Sequence, residues 1–347
     1  MTHKTAKILI PLLVLLIGCL FYIGSRKHFF VSDGGSKVQF YYWRTHYNID
    51  ETLREKVKQL ECNRVYLHFF DVIWKNGMSM PVAKLAPVKS NPLFADSVKM
   101  VPVVFITNEV FANTKQETGI SELAKNVNYL ISRIANYNEL LGKCEDEIQI
   151  DCDWTQSTRS AYFAFLDSLA KFTEKKISCT IRLHQVKDVD KMGVPPAVKG
   201  CLMCYATSDP TETSNTNSIL DIGLLKNYTK NVNSYPLPLT YALPLYSWGI
   251  VTNNSQKIRL INGLSHKELS NNDNFTKTGE NTYKAVNDCF INGFYVNKNY
   301  TIEIEEITPS LLMQARQYIN DKVGDPTIVY YHLSKGYLER FPINDLK

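Results

Sequence analysis

The chain has no glycine-rich phosphate-cradling loop and no internal repeat, which removes a nucleotide-binding domain and a solenoid from consideration. It has no His-x-His pair, and its eight cysteines lack the paired spacing of a metal site. Cys201-Leu202-Met203-Cys204 is the one CxxC, and it sits in an apolar strand pattern without a second pair. Buried structural thiols are expected there rather than a redox or zinc centre, although an exported chain leaves room for one disulfide. A basic stripe is also missing: the net charge of +5 is spread along the chain, so nucleic acid is not an expected partner. No cofactor and no metal are called for, and nothing in the sequence sets an oligomeric state.

What is plentiful is aromatic side chain, with 20 Tyr and 16 Phe in 347 residues against only 21% charged residues. That composition is globular, with enough apolar surface for one large core.

The N-terminus reads as a targeting segment and is left out of the fold. His3, Lys4 and Lys7 precede the apolar run Ile8 to Gly24, and Arg26-Lys27 close it. Leu16-Ile17-Gly18-Cys19 resembles a bacterial lipobox, which implies acylation at Cys19. The apolar residues Leu20 to Ile23 instead lengthen the run to the short end of a membrane-spanning helix. Either reading tethers a globular body outside the cytoplasm, at the periplasmic or cell-surface side of the membrane. The expected organisation is an anchor or lipobox over 1–27, a linker over 28–36, and one domain over 37–347.

Eight apolar, β-rich runs recur along that domain with amphipathic helical segments between many of them, the pattern of parallel βα units. The runs are Val38 to Trp43, Val65 to Phe70, Val101 to Thr107, Ile148 to Asp153, Ile177 to Leu183, Cys201 to Ala206, Leu239 to Tyr246, and Thr327 to His332. Helices are expected over Asp50 to Leu60, Ser121 to Leu141, Ser157 to Lys175 with Ser157 as N-cap, and Pro309 to Val323. The pattern predicts an α/β fold, a (β/α)8 barrel, with an insertion of short strands at about 252–299 between the seventh and eighth barrel strands. The acidic run Glu303 to Glu306 reads as an exposed strand end.

In such a barrel the active face is built where the strands stop. Residues two apart on a strand share a face, so Asp151 and Asp153 form one row with Thr155 beyond them. Two carboxylates in an apolar strand repel each other and lose solvation unless something uses or pairs them. Asp151 and Asp153 are therefore the candidate catalytic pair, with Arg182 as a structural partner for one of them. Trp43, Asp71, Trp154, Arg182, His184, Tyr205, Tyr246, Trp248 and His332 are the candidate substrate-binding residues. Flat aromatic walls beside charged groups suit a sugar, which has apolar CH faces bordered by hydroxyls.

Ile150-Asp151-Cys152-Asp153-Trp154 resembles the D-x-D-W core of family 18 glycoside hydrolases, and Leu202-Met203-Cys204-Tyr205-Ala206 resembles their M-x-Y-D strand. Gln149-Ile150-Asp151 to Asp153 with Ser157, Arg159 and Tyr162, then Leu243-Pro244-Leu245-Tyr246-Ser247-Trp248-Gly249, resemble an uncharacterised bacterial family of exported barrels, domain of unknown function 3142. That likeness covers most of residues 37 to 250. It implies a membrane-tethered, glycoside-hydrolase-like barrel that binds or hydrolyses a glycan. The general acid of family 18 falls at Thr155, whose hydroxyl has no proton acidic enough for general acid catalysis. Its first aspartate falls at Ile148, and the aspartate after M-x-Y at Ala206. A catalytically silent, lectin-like or scaffold barrel is the competing expectation.

Overall fold

The computed structural model describes residues 38–47, 49–87, 97–114, 117–138, 144–211, 216–253 and 256–347. The expected targeting segment, Cys19 and the linker lie outside the described residues; the chain divides into units Met1–Gly35 and Ser36–Lys347. Among the described residues no helix is long and apolar enough to cross a membrane.

Within the second unit eight strands run parallel: β1 Val38–Tyr42, β2 Arg64–Lys75, β3 Lys99–Ile106, β4 Glu147–Asp151, β5 Lys176–Arg182, β6 Lys199–Met203, β7 Leu239–Pro244 and β8 Ile328–Tyr331. Each pairs with the next in sequence, and β8 pairs back onto β1 with Val38 opposite Ile328 and Phe40 opposite Tyr330. The ring is closed, as the eight apolar runs predict.

Helices α1 Glu51–Gln59, α2 Glu117–Tyr137, α3 Arg159–Phe172 and α4 Pro309–Val323 match the four expected ones to within a few residues. Local chemistry starts two of them. Asp50 accepts the Leu53 N–H at 2.8 Å, and Thr308 accepts that of Leu311 ahead of Pro309 in the first turn. Helix α3 differs from expectation at its start. Thr158 occupies the cap position, and Ser157 Oγ instead meets Thr155 Oγ1 at 2.9 Å. After β2 the chain turns into an antiparallel strand, Met78–Val82, that extends the sheet outside the ring.

Alternation along β4 separates two environments. Ile148, Ile150, Cys152 and Trp154 are buried in the layer between strands and helices, whereas Glu147, Gln149 and Asp151 point into the ring. Several polar groups inside the ring are paired with one another. Tyr41 donates across the barrel to Gln149 Oε1 at 2.6 Å, Ser178 donates to Glu147 at 2.6 Å, and Lys199 Nζ lies 2.8 Å from Glu147. All seven described cysteines are free. Cys201 faces the barrel interior and Cys204 the helical layer, and burial pushes both thiols above their ordinary range.

The insertion between β7 and β8 is a five-stranded antiparallel sheet of Ser247–Asn253, Gln256–Asn262, Phe275–Lys277, Thr282–Ala285 and Thr301–Glu306, with a separate hairpin at Cys289–Ile291 and Phe294–Val296. It begins before residue 252 and ends after 299. One face packs Val251, Ile261, Tyr283, Ile302 and Ile304 into a core of its own. The opposite face presents Trp248, paired with Asn262 and Glu305, to the end of the barrel.

Candidate functional site

A cleft of about 570 Å³ opens at the C-terminal ends of the barrel strands. It is lined by Trp43, Asp71, Phe105, Asp151, Arg182, Met203, Tyr205, Ala206, Tyr246, Trp248, Asn262, Tyr331, His332 and Tyr337. One wall is continuous aromatic surface. Ring centroids step from Trp43 to Tyr331 (5.8 Å), Tyr331 to Tyr205 (5.5 Å), Tyr331 to Tyr246 (5.9 Å) and Tyr246 to Trp248 (5.4 Å). Burial, reinforced by neighbouring phenols or Asp151, raises the pKa of Tyr205, Tyr246 and Tyr331, which keeps these hydroxyls protonated and able to donate.

The charged floor is built from adjacent strands. Asp151, at the inward end of β4, accepts from Thr180 Oγ1 at 2.6 Å and faces Arg182 Nη2 at 3.8 Å. Asp153 lies just past the strand, with its side chain about half exposed, 3.9 Å from Arg182 Nε and 3.9 Å from His184 Nε2. One guanidinium therefore lies against both aspartates, of which Asp151 lines the cleft and Asp153 does not. Burial opposes the charge on Arg182, but Asp151, then Tyr205 and Asp153, more than offset it, and its proton affinity rises. Across the cleft, Asp71 holds His68 Nε2 at 2.6 Å, and the Trp43 ring stands 4.7 Å from that imidazole. Burial, and then the Arg44 charge, lower His332 to about 4, so it is a neutral wall residue.

Of the expected substrate-binding residues, the fold brings Trp43, Asp71, Arg182, Tyr205, Tyr246, Trp248 and His332 together in the cleft. His184 is at the rim beside Asp153 and does not line it. Trp154 is a correction. It is fully buried on the helix side of β4, stacked on Tyr162 at 5.1 Å, and its Nε1–H donates to the Met192 carbonyl. The alternation that aligns Asp151 with Asp153 sends residue 154 to the opposite face, so its position follows from the sequence.

Thr155 does not line the cleft. Its hydroxyl meets those of Ser157 and Thr158 at the start of α3, and Thr158 in turn donates to Asn108 Oδ1, in the short helix Asn108–Asn113 after β3. Among the described residues no three His, Cys, Asp or Glu side chains gather as a metal site.

Several lining residues are absent from the expected set. Tyr331 continues the inward alternation of β8, and Phe105 that of β3, so both had a sequence signal. Asn262, Tyr337 and the buried Glu305 behind Trp248 had none, because the insertion and the segment after β8 place them. Glu305 also corrects the reading of its acidic run as exposed: it is 7% exposed.

The fold is shared with solved structures. The spore cortex-lytic enzyme SleL of Bacillus cereus aligns at 14% identity over 89% of this chain and 75% of its own, with a TM-score of 0.52. A chitinase from Chromobacterium violaceum aligns at 11% identity over 89% and 98%, with a TM-score of 0.52. The catalytic domain of chitinase B from Arthrobacter aligns at 10% identity over 90% and 94%, also at 0.52. At such identities the likeness is one of fold, the (β/α)8 barrel, and not of activity. No protein-family model and no curated protein matches the chain, so the likeness to domain of unknown function 3142 rests on the residues quoted above.

Proposed function

We propose that the protein is a glycan-binding barrel, tethered outside the cytoplasm by its N-terminal segment, and that the cleft at the strand ends is its binding site. The observation that carries this reading is the unbroken aromatic wall from Trp43 to Trp248 facing Asp71, Asp151 and Arg182. Stacking surface and charged hydrogen-bonding groups in one concavity are what a sugar ring requires. The chitinase names of two similarly folded proteins agree with a carbohydrate ligand.

Binding without family 18 turnover is the better-supported form. The position of that family's general acid is Thr155, and its hydroxyl is tied into the start of α3. Arg182 also lies against both Asp151 and Asp153. One observation favours a second reading, hydrolysis by a different pair: Asp71 and Asp151 both line the cleft, and ordinary glycosidases need two carboxylates across the scissile bond.

The test uses the detergent-solubilised full chain on a glycan panel, scored for binding and for release of reducing ends. Under the binding reading, wild type binds, Trp248→Ala binds at least about tenfold more weakly, and no reducing ends appear. Release that stops in Asp71→Asn or Asp151→Asn selects the second reading. Neither binding nor release on any glycan rejects both.

A further inference from the structure

Glu305 is a buried carboxylate with no ion-pair partner among the described residues, an arrangement that is costly unless hydrogen bonds satisfy it. Three donors do so. Ser218 N–H reaches Oε1 at 3.0 Å, Ser218 Oγ reaches Oε2 at 2.5 Å, and Trp248 Nε1–H reaches Oε2 at 2.7 Å. The donors come from two elements far apart in sequence. Ser218 belongs to the loop after β6, and Trp248 to the first strand of the insertion.

Each element shapes the cleft. The Ser218 carbonyl accepts from Thr207 at 3.0 Å, and the next carbonyl, of Ile219, accepts from Ala206 at 2.7 Å. Ala206 lines the cleft beside Tyr205 at φ 53, a backbone conformation that needs such support. Asn217 Nδ2 adds a bond to the Glu306 carbonyl at 3.0 Å. On the other side, Trp248 is at the end of the aromatic wall, partly buried, and among the described residues its one ring contact is with Tyr246. The bond at its N–H is directional, and so restrains the indole's side-chain torsions in a way that apolar packing does not.

We infer that Glu305 is a positioning residue. Its carboxylate fixes the orientation of the Trp248 indole over the cleft and locks that indole to the loop after β6, so that glycan affinity depends on Glu305 through Trp248. The inference rests on the glycan-binding reading for its consequence, but the bond itself is tested without a ligand. A hydrogen bond to an ionised acceptor is stronger than a neutral one. Replacing the carboxylate by an amide of the same shape weakens the bond from the indole and turns an N–H toward one of the three donors.

The experiment is a double-mutant cycle of Glu305→Gln and Trp248→Phe in the full chain, read by two signals. The chain has four tryptophans, so 15N-indole labelling yields four Nε1–H resonances, and loss of one in Trp248→Phe assigns it. The expected result is that the Trp248 resonance moves in Glu305→Gln, and that glycan affinity falls at least about tenfold in the wild-type background. In the Trp248→Phe background Glu305→Gln is expected to cost nothing further.

An unmoved resonance overturns the inference whatever the ligand. Equal affinity losses in both backgrounds also overturn it, because they report a general structural role. Failure of wild type to bind any glycan while the resonance does move overturns the functional reading and leaves the indole bond established. If Glu305→Gln does not fold, Glu305→Asp, which keeps the charge but draws the carboxylate back from the indole N–H, is read by the same criteria.

Discussion

Asp151 and Arg182 meet across the seam between β4 and β5, the Nη2 atom 3.8 Å from the Oδ1 oxygen, while the same guanidinium lies 3.9 Å from Asp153. Two like charges on one strand end are tolerable because one neighbouring cation lies against both. Asp151 is nearly sealed, and Arg182 is about three-quarters covered. The expected result of Arg182→Met is a loss of about 3 kcal/mol in urea unfolding, since a buried charge is left uncompensated. Adding Asp151→Asn is expected to recover much of that loss. A double variant as unstable as the sum of the two single changes rejects the coupling.

His332 gives stability a pH dependence. The unfolded chain protonates this residue near pH 6.5, and the folded chain only near pH 4. Between those values the unfolded state binds more protons, so its contribution is present above pH 6.5 and is lost progressively as pH falls toward 4. The size is on the order of 3 kcal/mol. His332→Gln removes the group, so its stability difference from wild type is expected to change across that window in favour of the variant at low pH. A difference constant from pH 7 to pH 4 counts against the assignment.

Trp154 in the helical layer and Trp248 in the cleft wall are expected to separate stability from binding. Trp154→Ala empties a filled space against Tyr162 and Phe163 and is expected to cost about 3–5 kcal/mol. The fraction that folds is expected to keep wild-type glycan affinity. Trp248→Ala has the reverse profile, a large affinity loss with a smaller change in the unfolding midpoint. Matching profiles for the two variants contradict the assignment of opposite faces.

The N-terminal tether is tested apart from the barrel. Membrane fractionation of the full chain is expected to place it in the membrane pellet, and removal of residues 1–36 to release it. Metabolic labelling with palmitate, compared with Cys19→Ser, tells an acylated Cys19 from a spanning helix. A full chain found only in the soluble fraction refutes the tether.

Much of the barrel was legible because parallel strands buried on both faces are continuous apolar runs, although the second run, Val65 to Phe70, stops well short of the end of β2 at Lys75. Val101 to Thr107 and Ile177 to Leu183 correspond to β3 and β5 almost residue for residue. The site was legible in part for the same reason: Tyr205, Tyr246 and His332 stand where such runs stop. Trp154 was misplaced by proximity to Asp153, although strand alternation assigns it to the other side. Glu305 was misread because a strand end rich in glutamate is ordinarily solvated, and only its neighbours in space make one of those glutamates a buried acceptor.

By itself the sequence determined the order of strands and that Asp151 and Asp153 lie on one side of the chain with residue 154 on the other, because a period of two is a local property of the backbone. Tertiary structure alone decided that Arg182 serves both aspartates, that Trp248 and Asn262 of the insertion complete the cleft, and that Ser218 and Trp248 share one carboxylate. Those contacts join residues tens of positions apart, and they exist only after the ring closes and the insertion folds back over its mouth.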